Sequence, residues 1–196
     1  MAGIDSTKVL VGAPEQSGAA GAVWAAPLGT KIPDSASADL NKAFTSSGYV
    51  SSDGVTLTPD MSTTDITDWS GSTVRTLLEN FKGSVAFSFI QFDADSARMV
   101  YGDKNVKVTP ATQSKGEQIT IAMGPQLPEP RSYVFKMKDG DNLIRIVLPN
   151  AQATSWDEMS FTTTDAIPLG CTLSCYPDEN NKSIYIYVDN GVKAGV

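Results

Sequence analysis

The chain has 196 residues, with 22 acidic against 15 basic side chains, a net charge of −7 and not one histidine. The absence of histidine excludes Ser-His-Asp and Cys-His catalysis and every His-ligated metal site. The acid excess argues against tight nucleic-acid binding, which needs clustered Lys and Arg at phosphates. The length suits one domain with a sizeable core, and the many Gly, Pro, Ser and Thr favour strands and loops over long helices.

Residues 1–33 are rich in Gly and Ala, carry Pro14, Pro27 and Pro33, and show no sustained hydrophobic period. They read as an N-terminal extended arm, with Ala22-Val-Trp24-Ala as its one apolar knot. Residues 34–196 read as the folded domain. A short helix is expected from Asp34, capped by Asp34 or Ser35, with Leu40, Ala43 and Phe44 on one face. Tyr49 and Val50 open a strand, and Ser52-Asp53-Gly54 reads as a tight turn.

A long polar loop follows at about 53–72. It holds Asp53, Asp60, Asp65 and Asp68 with no Lys or Arg, and ends at Trp69. The spacings of these carboxylates fit no EF-hand loop, so the expected role is a solvated or partner-facing excursion. From Val85 to Phe92 the period is two, with Val85, Phe87 and Phe89 on an apolar face; Val74–Leu78 is the expected partner strand. Asp93 or Asp95 then caps a short helix that buries Ala97, Val100 and Tyr101, and Gly102 ends it.

Strands are expected at Val106–Thr109, Gln118–Met123 and Ser132–Met137. In the last, Tyr133, Phe135 and Met137 face inward and Val134, Lys136 and Lys138 outward. Asp139-Gly makes a turn into Leu143–Leu148. Trp156–Thr163 and Thr172–Tyr176 follow as strands. The chain then returns through a hairpin loop to Ser183–Val188, where Ile184, Ile186 and Val188 point inward and Tyr185 and Tyr187 point out. Cys171 and Cys175, four apart in a strand, are too far separated to pair within it and read as buried apolar residues. No run approaches the ~18 apolar residues of a membrane-spanning helix, and the expected product is soluble and made in the cytoplasm.

These elements sum to a mainly β protein: two packed antiparallel sheets, a β-sandwich, with one or two short helices. The order Gly48-Tyr-Val-Ser-Ser-Asp-Gly-Val-Thr, Asp65-Ile-Thr-Asp-Trp-Ser-Gly, Val74-Arg-Thr and Phe92…Val100-Tyr-Gly102 resembles the major tail (tail tube) proteins of long-tailed bacteriophages with non-contractile tails. The resemblance implies a virion protein, made in the host cytoplasm, that self-assembles into stacked hexameric rings. These form the conduit for DNA delivery. It implies as partners other copies of the chain, a tape-measure protein, a tail terminator, baseplate or initiator proteins, and genomic DNA passing without specific binding. It implies no enzyme activity, cofactor, metal or membrane. On this resemblance the long loop reaches the next ring.

The interface candidates are Trp24, Asp53, Asp60, Asp65, Asp68, Trp69, Tyr185 and Tyr187. Trp24 either covers the edge of its own core or docks on a neighbour. The acid excess predicts a lumen wall that repels phosphate. Other readings are a terminator or completion protein, a β-sandwich surface or adhesion module, and a carboxylate-based glycosidase, which would need two acids converging in a cleft.

Overall fold

A computed structural model describes residues 3–15 and 20–193. Its strands are β1 (Ala13–Pro14), β2 (Val23–Pro27), β3 (Thr45–Ser47), β4 (Val50–Thr67), β5 (Thr73–Phe89), β6 (Val106–Thr109), β7 (Gln118–Ile121), β8 (Arg131–Asp139), β9 (Asn142–Trp156), β10 (Leu169–Tyr176) and β11 (Tyr185–Asp189). One α-helix, α1 (Ala94–Tyr101), follows β5. Nine strands make one antiparallel sheet in the order β3-β2-β8-β9-β10-β5-β4, with β1 beside β8 and β11 beside β9; β6 and β7 form a separate hairpin. The mainly β, antiparallel class expected above is what the chain adopts.

The two layers are halves of a single rolled sheet. β5 and β8 are three strands apart in the order, which in a flat sheet separates them by roughly 14 Å. Yet the rings of Phe87 on β5 and Phe135 on β8 stand 5.4 Å apart, edge to face. The sheet therefore curls until its ends oppose each other. The enclosed core takes Val85, Phe87 and Phe89 from β5, Leu169, Cys171 and Leu173 from β10, and Tyr133 and Phe135 from β8. The period-two reading of β5 holds up to Phe89; Ile90 and Phe92 lie beyond the strand and are exposed.

Helix α1 closes one end of this core; it is capped at its start, and each of its last four carbonyls has a partner. Asp93 caps it, its carboxylate accepting from the Ser96 N–H at 2.7 Å. The last four carbonyls of a helix lack partners within it. Here the Arg98 carbonyl accepts from the Gly102 N–H at 2.9 Å. The Met99 carbonyl accepts from the Tyr133 hydroxyl at 2.9 Å, the Val100 carbonyl from the Trp156 indole at 3.1 Å, and the Tyr101 carbonyl from Asn105 at 2.8 Å. Gly102 leaves the helix at φ 85°, a region that favours glycine.

Several expected elements differ. No helix forms after Asp34: the Arg145 guanidinium, buried on β9, donates to the carbonyls of Ser35 at 3.0 Å and Ala38 at 2.6 Å, holding the segment open. Leu40, Phe44 and Ile32 instead pack on a second cluster around Val134 and Val147, on the other face of the sheet. Val134 is accordingly buried, not outward and exposed, because β8 is covered on both sides. Within residues 1–33, Val23–Pro27 is a strand between β3 and β8. Residues 1–2 and 16–19 of the expected arm lie outside the described residues.

The 53–72 stretch is not a loop: it is one strand and the turn of a long hairpin, β4 with β5, turning at residues 68–72. Its partnering runs strand against strand, so Val74–Leu78 pairs with β4 and is continuous with Val85–Phe89, not folded back on it. Ser52-Asp53-Gly54 makes a bulge between the Val50–Phe89 and Val55–Phe87 pairs, not a hairpin turn. Past Trp156 the chain leaves the sheet, so 157–163 forms no strand. β11 pairs with β9, collinear with β10, so residues 177–184 are an outward detour along one edge and not a hairpin loop.

Candidate interface: a projecting hairpin beside a free strand edge

From Pro59 to Thr67 and back from Thr73 to Lys82, the hairpin leaves the body of the sheet, reaching roughly 30 Å at the usual rise. Every residue of this part is exposed except half-buried Leu77. Met61, Ile66, Trp69, Val74, Leu78 and Phe81 all present large apolar side chains to solvent. Register places Met61 opposite Phe81 and Thr63 opposite Leu78, which continues the core-side face of the sheet out along the ribbon. A two-stranded ribbon uncovered on both faces is marginally stable alone. β4 is also the last strand of the sheet, so its outer N–H and C=O row is unpaired along much of its length.

The acidic candidates are strung along this ribbon. Asp53 sits in the bulge at its base. Asp60 stands opposite Lys82. Asp65 accepts from the Thr76 hydroxyl at 2.6 Å. Asp68 ties the tip, accepting from the Ser70 hydroxyl at 2.7 Å and from the Ser70 and Ser72 N–H groups at 2.9 Å. The Ser70 hydroxyl bond first, and the Ser72 N–H next, hold the Asp68 carboxyl below its usual range. Trp69 stands beside it, 104% exposed and touching none of its own core. Spread from base to tip, these carboxylates do not converge, and no metal-holding group of His, Cys, Asp or Glu forms among the described residues.

The remaining candidates lie elsewhere. Trp24 is half-buried on β2, packed on the second cluster with the Lys136 ammonium 5.9 Å from its ring centre. Tyr185 and Tyr187 stack at 6.0 Å and 5° and are half-buried against that same cluster. Their sides of the strand are as expected, but their burial is reversed: Ile186 and Val188 are 56% and 55% exposed. The cause is β9. Tyr185 and Tyr187 pair with Val147 and Arg145 on the covered outer face, whereas Ile186 and Val188 lie at the inner face's open end. The tyrosine hydroxyl of Tyr185 donates to Asp178 at 2.6 Å.

Sequence reading missed the apolar ribbon residues Met61, Leu78 and Phe81. The signal available was the run of β-branched Thr and Ile from Thr56 to Thr67, which suits a strand whatever its polarity.

The family model described as phage tail tube protein matches residues 8–195. No curated protein matches the chain. Among solved structures, the anti-feeding prophage cap, a tube terminating cap seen by cryo-electron microscopy, aligns at 13% identity with a TM-score of 0.48, covering 94% of this chain and 97% of that one.

Proposed function

This chain belongs to the phage tail tube protein family, a structural component of the virion tail, and from that premise we propose that its subunits close into hexameric rings which stack into a DNA-conducting tube. The observation that carries the reading is the pairing of a free β4 edge with a projecting ribbon that exposes Met61, Leu78, Phe81 and Trp69. An unpaired edge invites another strand, and ring closure satisfies it without leaving an end. The ribbon then reaches a neighbouring subunit, in the same ring or the next, and buries its apolar face there. Trp69 acts as the anchor at its tip, since an exposed indole is the side chain that gains most from such burial. A tape-measure protein inside the growing tube, and terminator and initiator proteins at its ends, complete the set of partners.

Negative-stain microscopy of the purified subunit, alone and with the cognate initiator, tests this. Wild-type protein should form tubes. Replacing residues 63–79 by Asn-Gly, which leaves Ser62 and Asn80 to close a two-residue turn, should give a folded subunit that forms none. Tubes of normal length from the shortened protein would refute the ribbon's role.

A further inference from the structure

Strand alternation sends every second side chain of the β4-β5-β10-β9 layer away from the core. In register, those outward positions form rows. Thr56, Ala86, Thr172 and Ser155 make one row, and Thr58, Ser84, Ser174 and Gln152 the next. Asp60 and Lys82, directly opposite each other, make a third on the two hairpin strands, followed by Ser62 and Asn80. Across four strands this face is thus mainly hydroxyl and amide side chains around the opposed Asp60 and Lys82, with Ala86 and the exposed Tyr176 among them and the Asp157 carboxylate lying over Gly170 at the start of β10. Some hydroxyls are already engaged with each other, as Thr154 and Ser174 are at 2.7 Å. Besides the acids of the hairpin, others sit in the connectors at the ends of β10: Asp157, Glu158 and Asp165 before it, Asp178 and Glu179 after it.

The other faces of the sheet are taken. The inner face is filled by the core, and the outer face of the β2-β8 layer is roofed by Ile32, Leu40 and Phe44. β4 is the free edge of this layer, so a strand from a second copy pairing there would lengthen it.

We propose that this Ser/Thr face is the lumen wall, and that the polyanion it meets is duplex DNA in transit; the proposal rests on the tube reading above. Proteins hold DNA by placing Lys and Arg on phosphates and releasing counterions. A wall of hydroxyls with a self-compensating charge pair offers no net cation, so phosphates have nowhere to settle. The wall is non-adhesive because it is near neutral, and the repelling acid lining expected from net charge is not needed. With a screening length of about 8 Å at physiological salt, the connector acids act only near the rims of the wall.

Two measurements on seeded tubes test this. Thr58→Cys and Thr172→Cys place a thiol on the face, and the native Cys171 and Cys175 are buried and add little background. A small maleimide should label both variants as subunit and as tube, whereas a maleimide coupled to a globular protein should label tubes at least tenfold less than subunits. Equal labelling of tubes by the bulky reagent overturns the assignment. Next, virions carrying Thr58→Lys with Thr172→Lys should assemble tubes of normal length yet deliver DNA at least tenfold less efficiently. Delivery within twofold of wild type overturns the wall's chemistry. If wild-type subunits form no tube, the tube reading itself fails, which neither of the other results would show.

Discussion

Phe81 and Phe87 stand on the same side of β5, six positions apart, and the structure gives them opposite surroundings. Phe87 is 4% exposed, with its ring 5.2 Å from Phe89 and 5.4 Å from Phe135. Phe81 is 44% exposed on the ribbon, opposite Met61. Phe87→Ala removes a ring clamped between both ends of the rolled sheet and leaves a cavity there, at a cost of roughly 3–5 kcal/mol. That is a large share of the ~5–15 kcal/mol that holds a domain folded. At about 2–4 °C per kcal/mol for a chain of this size, Tm should fall by about 6–20 °C. Phe81→Ala, a surface change in the isolated subunit, should move stability by no more than about 0.5 kcal/mol, yet it should impair polymerisation. Scanning calorimetry of the subunit and turbidity of seeded assembly separate the two. Equal Tm shifts would refute the rolled core, and wild-type assembly of Phe81→Ala would refute the ribbon interface.

Asp93→Ala should cost about 0.5–2 kcal/mol by uncapping α1. Burial works against the Asp93 carboxylate, but hydrogen bonds from Ser96 and Gln91 outweigh it and hold its pKa below 3.8. Its contribution is therefore full above that value and lost as pH falls through the lower folded one, so the gap in urea midpoint between wild type and Asp93→Ala should narrow progressively as pH falls below about 4. Burial pushes the Cys175 thiol up to about 12 and Cys171 higher still; both should resist a thiol reagent at pH 8 until urea unfolds the subunit. Arg145→Met removes two charge-assisted bonds to the 28–44 segment; limited proteolysis should then cut near residues 35–38 at least several-fold faster than in wild type.

Where local chemistry and tertiary need coincide, the sequence alone was enough. Asp93 to Gly102 carries both cap and stop for one helix, and Asp139-Gly140 closes the β8–β9 turn with Gly140 at φ 57°. Val85-Phe87-Phe89 alternates because one face meets the core. The misses share a cause: partners far away in the chain. Ser35–Phe44 has a helix-like apolar spacing, but its backbone carbonyls are claimed by Arg145, more than a hundred residues on. The β4–β5 ribbon lacks apolar alternation because no face of it is covered within the subunit, so the strand character of its β4 half rested on Thr and Ile propensity alone. Tyr185 and Tyr187 could not be placed without knowing that β11 lies on β9. Of the interface candidates, those from Asp53 to Trp69 fall together on the projecting hairpin, and it was polarity between Tyr49 and Val74 that had marked them.

β2 comes from the first thirty residues but lies between β3 and β8, with Val23 opposite Phe135. During synthesis, β2 and β3 emerge early and pair only with each other, an arrangement too small to persist. The sheet cannot take them in until β8 has left the ribosome, after two thirds of the chain. The β4–β5 hairpin, all local contacts, can form well before that. A nascent subunit thus has its projecting ribbon before its body is closed. The order of translation itself sets a delay between exposing an unpaired edge and having a rigid frame behind it, a period in which premature association between growing chains is the main hazard.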